Sequence, residues 1–177
     1  TSLRQPVASN SALVHFQQIG PYILKESLGA GGMGTVYRAV HSKLKRDVAV
    51  KLLPDARWSN ATAISRFERE MEAIGQLDHP HIVRASDAGD DQGMHYLVMD
   101  YVDGPALEKK MQDGGMSAAD LLVVARRVAE GLVAAHAKNI VHRDLSPDNI
   151  ILRNGDPSDA VIIDFGIAKD TNPGAET

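Results

Sequence analysis

The chain has 177 residues, of which 44% are hydrophobic and 24% are charged, a composition typical of folded globular proteins. Its formal net charge of −4 provides no broad basic surface, so neither nucleic acid nor an anionic membrane is expected as a main partner. The absence of cysteine excludes disulfides and thiolate metal sites. No stretch approaches the roughly 20 apolar residues that span a bilayer, and the N-terminus lacks the apolar core of a signal peptide. We therefore expect a cytoplasmic protein, or a piece cut from a larger one.

The N-terminal half of the chain predicts a lead-in followed by a β-rich lobe. Residues 1–20 are weakly patterned, and we expect a lead-in with one short helix near residues 13–19. Three short β-rich runs then predict an antiparallel meander. They are Tyr22 to Leu28, Thr35 to His41 and Asp47 to Leu53. From Ile64 to Leu77, apolar residues recur at three- and four-residue steps and predict an amphipathic helix. Two further strands, Ile82 to Ala85 and His95 to Val102, complete a lobe over residues 21–102.

The remaining residues, 103–177, predict a second and mostly helical region. Asp103-Gly104-Pro105 has the composition of a turn, which places the domain boundary there. A short helix is expected from Leu107 to Met111. A long helix follows to about Ala137, opened by a capping box that begins at Ser117. Beyond it, the runs Ile150 to Leu152 and Ala160 to Ile163 predict a short hairpin.

A glycine-rich turn joins the first two strands. Residues 29–36 read Gly-Ala-Gly-Gly-Met-Gly-Thr-Val and fit the pattern G-x-G-x-x-G-x-V, in which glycines let backbone N–H groups approach phosphate oxygens. An ordinary glycine-rich hairpin turn is the alternative. The dinucleotide-binding fingerprint looks similar, but it needs a strand followed directly by a helix. Residues 35–41 alternate as a strand, so a Rossmann fold is disfavoured.

Lys51 places one cation inside the apolar strand Val48-Ala49-Val50-Lys51. An ammonium buried there without compensation is costly, so it needs an anion. Glu70 lies beside the apolar face of the predicted helix and is the expected partner. The alternative is that Lys51 extends its charged end to water and that Glu70 is one more solvated charge.

Two further groups of polar residues follow the long helix. The loop His142-Arg143-Asp144-Leu145-Ser146-Pro147-Asp148-Asn149 matches H-R-D-L-x-x-x-N, and Asp164-Phe165-Gly166 ends the last strand. Within the loop, Asp144 can orient a hydroxyl nucleophile and Asn149 can hold a metal ion. With Asp164, Asn149 offers two oxygen ligands for magnesium. The alternatives are a polar turn that caps a helix and an aspartate that caps a strand.

These motifs, in this order, resemble those of the bacterial branch of the eukaryotic-like serine/threonine protein kinases, from Gly20 to about Lys169. The resemblance implies an α+β, protein-kinase-like fold. Its N-lobe is a five-stranded antiparallel sheet with helix C, and its C-lobe is partial and mostly helical. The resemblance also implies a serine/threonine protein kinase that uses ATP and Mg²⁺ to phosphorylate protein substrates.

The resemblance assigns roles to residues by position. Asp144 would be the catalytic base, and Lys51 and Glu70 would position the α- and β-phosphates of ATP. Asn149 and Asp164 would bind magnesium. The expected nucleotide-binding residues are Gly29, Gly31, Gly34, Val36, Ala49, Lys51, Met99, Asp100, Val102 and Ile151.

The chain departs from the kinase pattern in two ways. Ser146 stands where the loop usually has lysine, so one cation near the transferred phosphoryl group is missing. After Gly166 the sequence contains no A-P-E motif and none of the later C-lobe helices. These departures leave two alternatives open. One is a pseudokinase-like module that holds nucleotide and acts by contact, and the other is a small-molecule phosphotransferase.

Two other features have structural interpretations. The long helix, residues 117–137, is apolar all round at its start, and the later helices that would cover it are absent from the sequence. We therefore expect self-association through its uncovered face. His79 and His81 suggest a metal site, but the sequence offers no third or fourth ligand, so we interpret that loop as structural.

Overall fold

The fold is that of a computed structural model, which describes residues 17–31, 34–53, 65, 69, 71–91 and 93–165. The N-terminal lobe is a six-stranded sheet in which every neighbouring pair is antiparallel, in the order β1-β2-β3-β4-β6-β5. Its strands are β1 Gln18–Ile19, β2 Tyr22–Gly31, β3 Gly34–His41, β4 Asp47–Leu53, β5 Ala85–Asp91 and β6 Met94–Asp100.

Two predictions for this lobe were wrong. The described end of the helix expected near residues 13–19 is the short strand β1, which adds a sixth strand to the expected five. Its burial explains the difference, because Ile19 pairs with Tyr22 and is fully enclosed by the sheet's core. The strand expected over Ile82 to Ala85 instead begins at Ala85 and runs to Asp91. Ile82 forms only an isolated bridge, to Ile162.

The sheet curls so that its two edges approach each other. The backbone N–H of Gly20, just after β1, donates to Asp91 Oδ2 on β5 at 2.7 Å. Tyr22 Oη donates to Asp87 Oδ2 at 2.6 Å. Burial, with the hydrogen bond to Asp87, raises the pKa of Tyr22, so its phenol stays protonated as a donor. The curl encloses a separate apolar core of Ile19, Tyr22, Ala39, Val48, Val50, Leu52, Tyr96 and Val98.

Three α-helices have described residues. Residues 65, 69 and 71–75 are the described part of α1, and buried Met71, Ile74 and Leu77 lie on the face that the periodicity predicted. Next is α2, Leu107–Gln112, which agrees with the predicted short helix. Last is α3, Ala118–His136, which begins after Ser117. The predicted start at Ser117 is confirmed there, because Ser117 Oγ accepts from the N–H of Asp120 as an N-cap does. The same hydroxyl donates to the Asp120 carboxylate.

The predicted hairpin in the C-terminal region is confirmed as β7 Ile150–Leu152 and β8 Ala160–Ile162. A second apolar core joins α1, β6, α2, α3 and the hairpin, so the two lobes share packed side chains. His81 lies at this junction, where its Nδ1 hydrogen-bonds the Ala160 carbonyl at 2.9 Å. That contact agrees with the structural interpretation of the loop containing His79 and His81. Within the described residues, no helix has the length and hydropathy required to cross a membrane.

Candidate active site

The loop between α3 and β7 is held by a buried histidine. His142 is 2% exposed, and its Nδ1 accepts from the N–H of Asp144 at 3.3 Å. Its Nε2 therefore carries the ring proton and donates to the Ile163 carbonyl at 3.1 Å. The ring also packs on Phe165 at 4.7 Å between centroids. His142 thus fixes the loop against the segment that follows β8.

Asp144 and Asn149 are brought together within this loop. Asn149 Nδ2 donates to the backbone carbonyl of Asp144 at 2.8 Å. The backbone carbonyl of Asn149 accepts from the N–H of Ile163 at 2.9 Å. Because the first bond uses the backbone of Asp144, it places no demand on the carboxylate. Arg143 and Asp164 both have positive φ, 62° and 56°, a conformation that L-residues adopt at a cost when surrounding contacts hold them in it.

Lys51 is the largest fully buried side chain of the described residues and is 1% exposed. Its strand β4 lies between β3 and β6, with Val36 and Leu97 as its register partners. Lys51 Nζ lies 2.5 Å from Asp164 Oδ1, which supplies the anion that a buried ammonium requires. The expected partner Glu70 lies outside the described residues, so that pairing stays a prediction. Sequence reasoning missed the contact with Asp164, because the two residues are 113 positions apart.

The glycine-rich turn forms the end of the β2–β3 hairpin. Gly29 pairs with Val36 and Gly31 pairs with Gly34, while residues 32 and 33 lie outside the described part. Gly34 has φ 125°, which only glycine adopts without strain. A Cβ on Gly29 would meet no heavy atom within 4 Å. Packing within the described part of the protein therefore does not explain the glycine at position 29.

The residues expected around an adenine ring lie on two surfaces, one at the core shared by the two lobes and one on a face of β7. Ala49 and Met99 are register partners on β4 and β6, and both belong to the apolar core shared by the two lobes. Val36 and Val102 pack against the same core. Ile151 is half-buried on β7, between the buried residues Ile150 and Leu152. Successive side chains of a strand point to opposite faces, so Ile151 lies on the other face of β7.

The chemistry of Asn149 and Asp164 fits a magnesium ion. Because Asn149 uses Nδ2 as a donor, its amide oxygen is the atom left to act as an acceptor. Asp164 adds a carboxylate, and magnesium prefers oxygen ligands, usually one or two from protein with phosphates and water. No three His, Asp, Glu or Cys side chains of the described residues converge as a metal site. Such a convergence is not required for magnesium held jointly with a nucleotide.

A pair of carboxyl groups lies beside the loop. A hydrogen bond with Asp148, together with repulsion from its charge, raises the pKa of Glu108 on α2. Asp148 itself belongs to the 3-10 turn Pro147–Asn149, directly before β7. With Ser146 in place of a basic residue, this side of the loop has an acidic character.

The chain matches the protein kinase domain family over residues 22–177. It is 39% identical over 153 residues to serine/threonine-protein kinase PknD of Mycobacterium tuberculosis, a match that covers 86% of this chain and 23% of PknD. It is 36% identical over 157 residues to serine/threonine-protein kinase pkn2 of Myxococcus xanthus, covering 88% of this chain and 19% of pkn2. The chain therefore spans about a fifth of the length of these relatives.

Solved structures resemble this chain over most of its length. The kinase domain of Mycobacterium tuberculosis PknI superposes with a TM-score of 0.72 and 34% identity, covering 84% of this chain and 60% of that domain. Rad53 residues 1–466, solved in complex with AMP-PNP, gives a TM-score of 0.75 at 28% identity, covering 84% of this chain and 39% of that chain. The chain therefore has the protein-kinase-like fold of the matching parts of these proteins, with a strand-rich N-terminal lobe.

Proposed function

This chain belongs to the protein kinase domain family, and from that premise we propose that it transfers the terminal phosphoryl group of magnesium-bound ATP to serine or threonine of proteins. The observation that supports this most directly is the ion pair between Lys51 and Asp164. It joins a strand of the N-lobe to the segment after β8 and brings two distant motifs to one place. Residues 103–177 then act as the hinge and a partial C-lobe.

Each proposed role rests on the chemistry of the side chain. Lys51, with Glu70, would hold the α- and β-phosphates, and the backbone of the glycine-rich turn would cover them. Asn149 and Asp164 would hold magnesium, which when bound offsets the negative charge of the phosphates. Asp144 would orient the acceptor hydroxyl and take its proton. Ala49, Val36 and Ile151 would enclose the adenine, next to Met99 and the backbone of Asp100 and Val102.

Phosphoryl transfer can be tested with labelled ATP and three kinds of acceptor. The proposal expects label on serine or threonine of a generic protein acceptor, dependent on magnesium and absent from small-molecule acceptors. Label on small molecules alone would identify a small-molecule phosphotransferase. Nucleotide binding without transfer would identify a pseudokinase-like module, the alternative that Ser146 favours because the loop lacks the usual cation.

We expect Asp164→Asn to weaken nucleotide binding much more with magnesium present than without it. The change keeps a similar shape but removes a charged oxygen ligand from the ion, and it also removes the anion that pairs with Lys51. The loss of the Lys51 pair is common to both buffers, so the comparison between them isolates the effect on magnesium. We expect about a tenfold loss of ADP affinity in magnesium and less than about threefold in EDTA, a difference of roughly 1 kcal/mol. Titration calorimetry measures both values. Equal losses in the two buffers would contradict the magnesium role, and Asp113→Asn, a change at an exposed carboxylate, is the control.

We also propose that the chain associates with a second copy of itself through α3. Leu121, Leu122, Val123 and Val133 are exposed large apolar side chains on this helix. At about 25 cal/mol per Å², covering a few hundred Å² of such surface contributes several kcal/mol. Val124 directly follows Val123 in α3 but is only 2% exposed, so it faces the core rather than this surface. The apolar run at the start of the helix predicts that Val124 belongs to the uncovered face, and the structure shows that this prediction is wrong.

We expect Leu122→Glu to reduce self-association, because it places a charge at the most exposed apolar side chain of the proposed contact. The matched control is Leu44→Glu, since Leu44 and Leu122 are both 72% exposed and Leu44 lies in a turn far from α3 in sequence. Sedimentation velocity over a concentration series measures the effect. A protein that stays monomeric at high concentration, or an equal response to both substitutions, would contradict an interface on α3.

A further inference from the structure

The segment that leaves the N-lobe runs antiparallel beside β7. The N–H of Leu152 donates to the Pro105 carbonyl at 2.9 Å, and the N–H of Asn154 donates to the Asp103 carbonyl at 2.9 Å. Ala106 forms an antiparallel bridge with Ile151. Residues 103–106 and 151–154 are therefore joined backbone to backbone, with Gly104 in the middle of the contact.

At Gly104 the two backbones approach so closely that no side chain fits. A Cβ at this position would lie 2.0 Å from the Leu152 carbonyl oxygen, 2.9 Å from the Leu152 carbonyl carbon and 3.2 Å from Arg153 Cα. All three atoms belong to the backbone, so no change of side-chain rotamer relieves the overlap. Any larger residue must push the connecting segment away from β7.

We infer that Gly104 is a positioning residue for adenine, acting through the distance between the connecting segment and β7. The inference rests on the proposed function. The backbone of Val102 is proposed to meet the edge of the adenine, and Asp103 directly follows Val102. Ile151 is proposed to lie beneath the adenine ring, and Leu152 directly follows Ile151. The contact at Gly104 therefore sets the separation of these two surfaces, and Gly104 acts through them.

Gly114 provides a matched control for the backbone conformation. Gly104 has φ 152° and Gly114 has φ 141°, so alanine is strained at both positions to a similar degree. A Cβ at Gly114 would meet no heavy atom within 4 Å. Only the substitution at position 104 therefore adds a steric overlap with β7. A difference in ligand affinity between the two variants can then be assigned to that overlap.

The experiment compares adenosine and ADP binding to the wild-type chain, Gly104→Ala, Gly114→Ala and Lys51→Met by titration calorimetry. We expect Gly104→Ala to lower the affinity for adenosine and the affinity for ADP by the same factor, about tenfold or more, because both ligands carry adenine. We expect Gly114→Ala to bind as the wild type does. Lys51→Met should lose affinity for ADP and keep its affinity for adenosine, because its role concerns phosphate. A loss confined to ADP in Gly104→Ala, or wild-type affinity for both ligands, would overturn the inference.

A second measurement, amide hydrogen exchange, uses the wild-type chain and does not depend on whether a variant folds. Because coupling between two sites is reciprocal, adenosine must stabilise the contact if the contact positions adenine. In the wild-type chain, adenosine should therefore slow amide hydrogen exchange at Leu152 and Asn154, the two donors of the contact, more than at Asp120 in the cap of α3. Binding of adenosine with unchanged exchange at Leu152 and Asn154 would overturn the inference.

The two proposals fail in different ways. If the wild-type chain binds neither adenosine nor ADP, the proposed function is wrong and the role of Gly104 falls with it. If the wild-type chain binds both ligands and Gly104→Ala matches it, only the positioning role is wrong.

Discussion

Lys51→Met is expected to lower phosphoryl transfer by about 100-fold or more, the loss that follows removal of one preorganised charge from a reacting centre. Lys51 is buried, at 1% exposed, and its ammonium is held against Asp164. Methionine keeps the unbranched apolar stem inside β4. The variant should therefore fold, with the loss confined to phosphate binding and transfer.

The control for this prediction is Lys43→Met, at an exposed lysine in the turn after β3. Circular dichroism checks the fold, and initial rates with saturating acceptor measure transfer. Turnover and ADP affinity that match those of the wild type in a folded Lys51→Met protein would exclude the proposed role of Lys51. A similar loss in Lys43→Met would indicate that overall charge, rather than this site, controls the rate.

Asp144→Asn is expected to lower the rate of transfer by roughly 10²- to 10⁴-fold, the usual contribution of a positioned general base. Asparagine has the same shape as aspartate but is not a base. Two contacts of residue 144 use its backbone and survive the change, because its N–H donates to His142 and its carbonyl accepts from Asn149. Because asparagine also keeps the shape of the side chain, the loop should keep its conformation in the variant, and ADP affinity should change by less than about threefold, under 1 kcal/mol.

Single-turnover rates and ADP titration separate the two parts of this prediction. A loss of ADP affinity as large as the loss of rate would indicate that Asp144 acts in binding rather than in proton transfer. Asp113→Asn, at the exposed end of α2, should leave both quantities unchanged. An unchanged transfer rate in Asp144→Asn would require another base.

Elements with strong local signals were predictable from the sequence. For α3, the apolar spacing and the Ser117 cap define its start to the residue, because both depend on groups within one helical turn. The strand β4 was also predicted with its observed bounds, since its run of apolar and β-branched residues suits a buried central strand. By contrast, β5 reads Ala-Ser-Asp-Ala-Gly-Asp-Asp, which contains no β-branched or aromatic residue, and it becomes a strand only by pairing with β6.

The candidate site shows the same division. The types of its residues were evident from the sequence, because the spacing of Asp144, Asn149 and the glycine-rich turn matches a known set of motifs. The partner of Lys51 was not evident, since a buried lysine requires an anion but its strand does not specify which one. The two lobes pack on a shared core, and that packing brings Asp164 to the buried ammonium.

Local sequence determined where the helices and hairpins begin, because caps, turns and apolar periodicity act over a few residues. Tertiary structure decided which distant groups meet. Leu122 and Val124 are two positions apart in one apolar run, yet one is 72% exposed and the other 2%, because only Val124 belongs to the shared core. The close contact at Gly104 arises in the same way, since the carbonyl of Leu152 reaches it only when the connecting segment lies along β7.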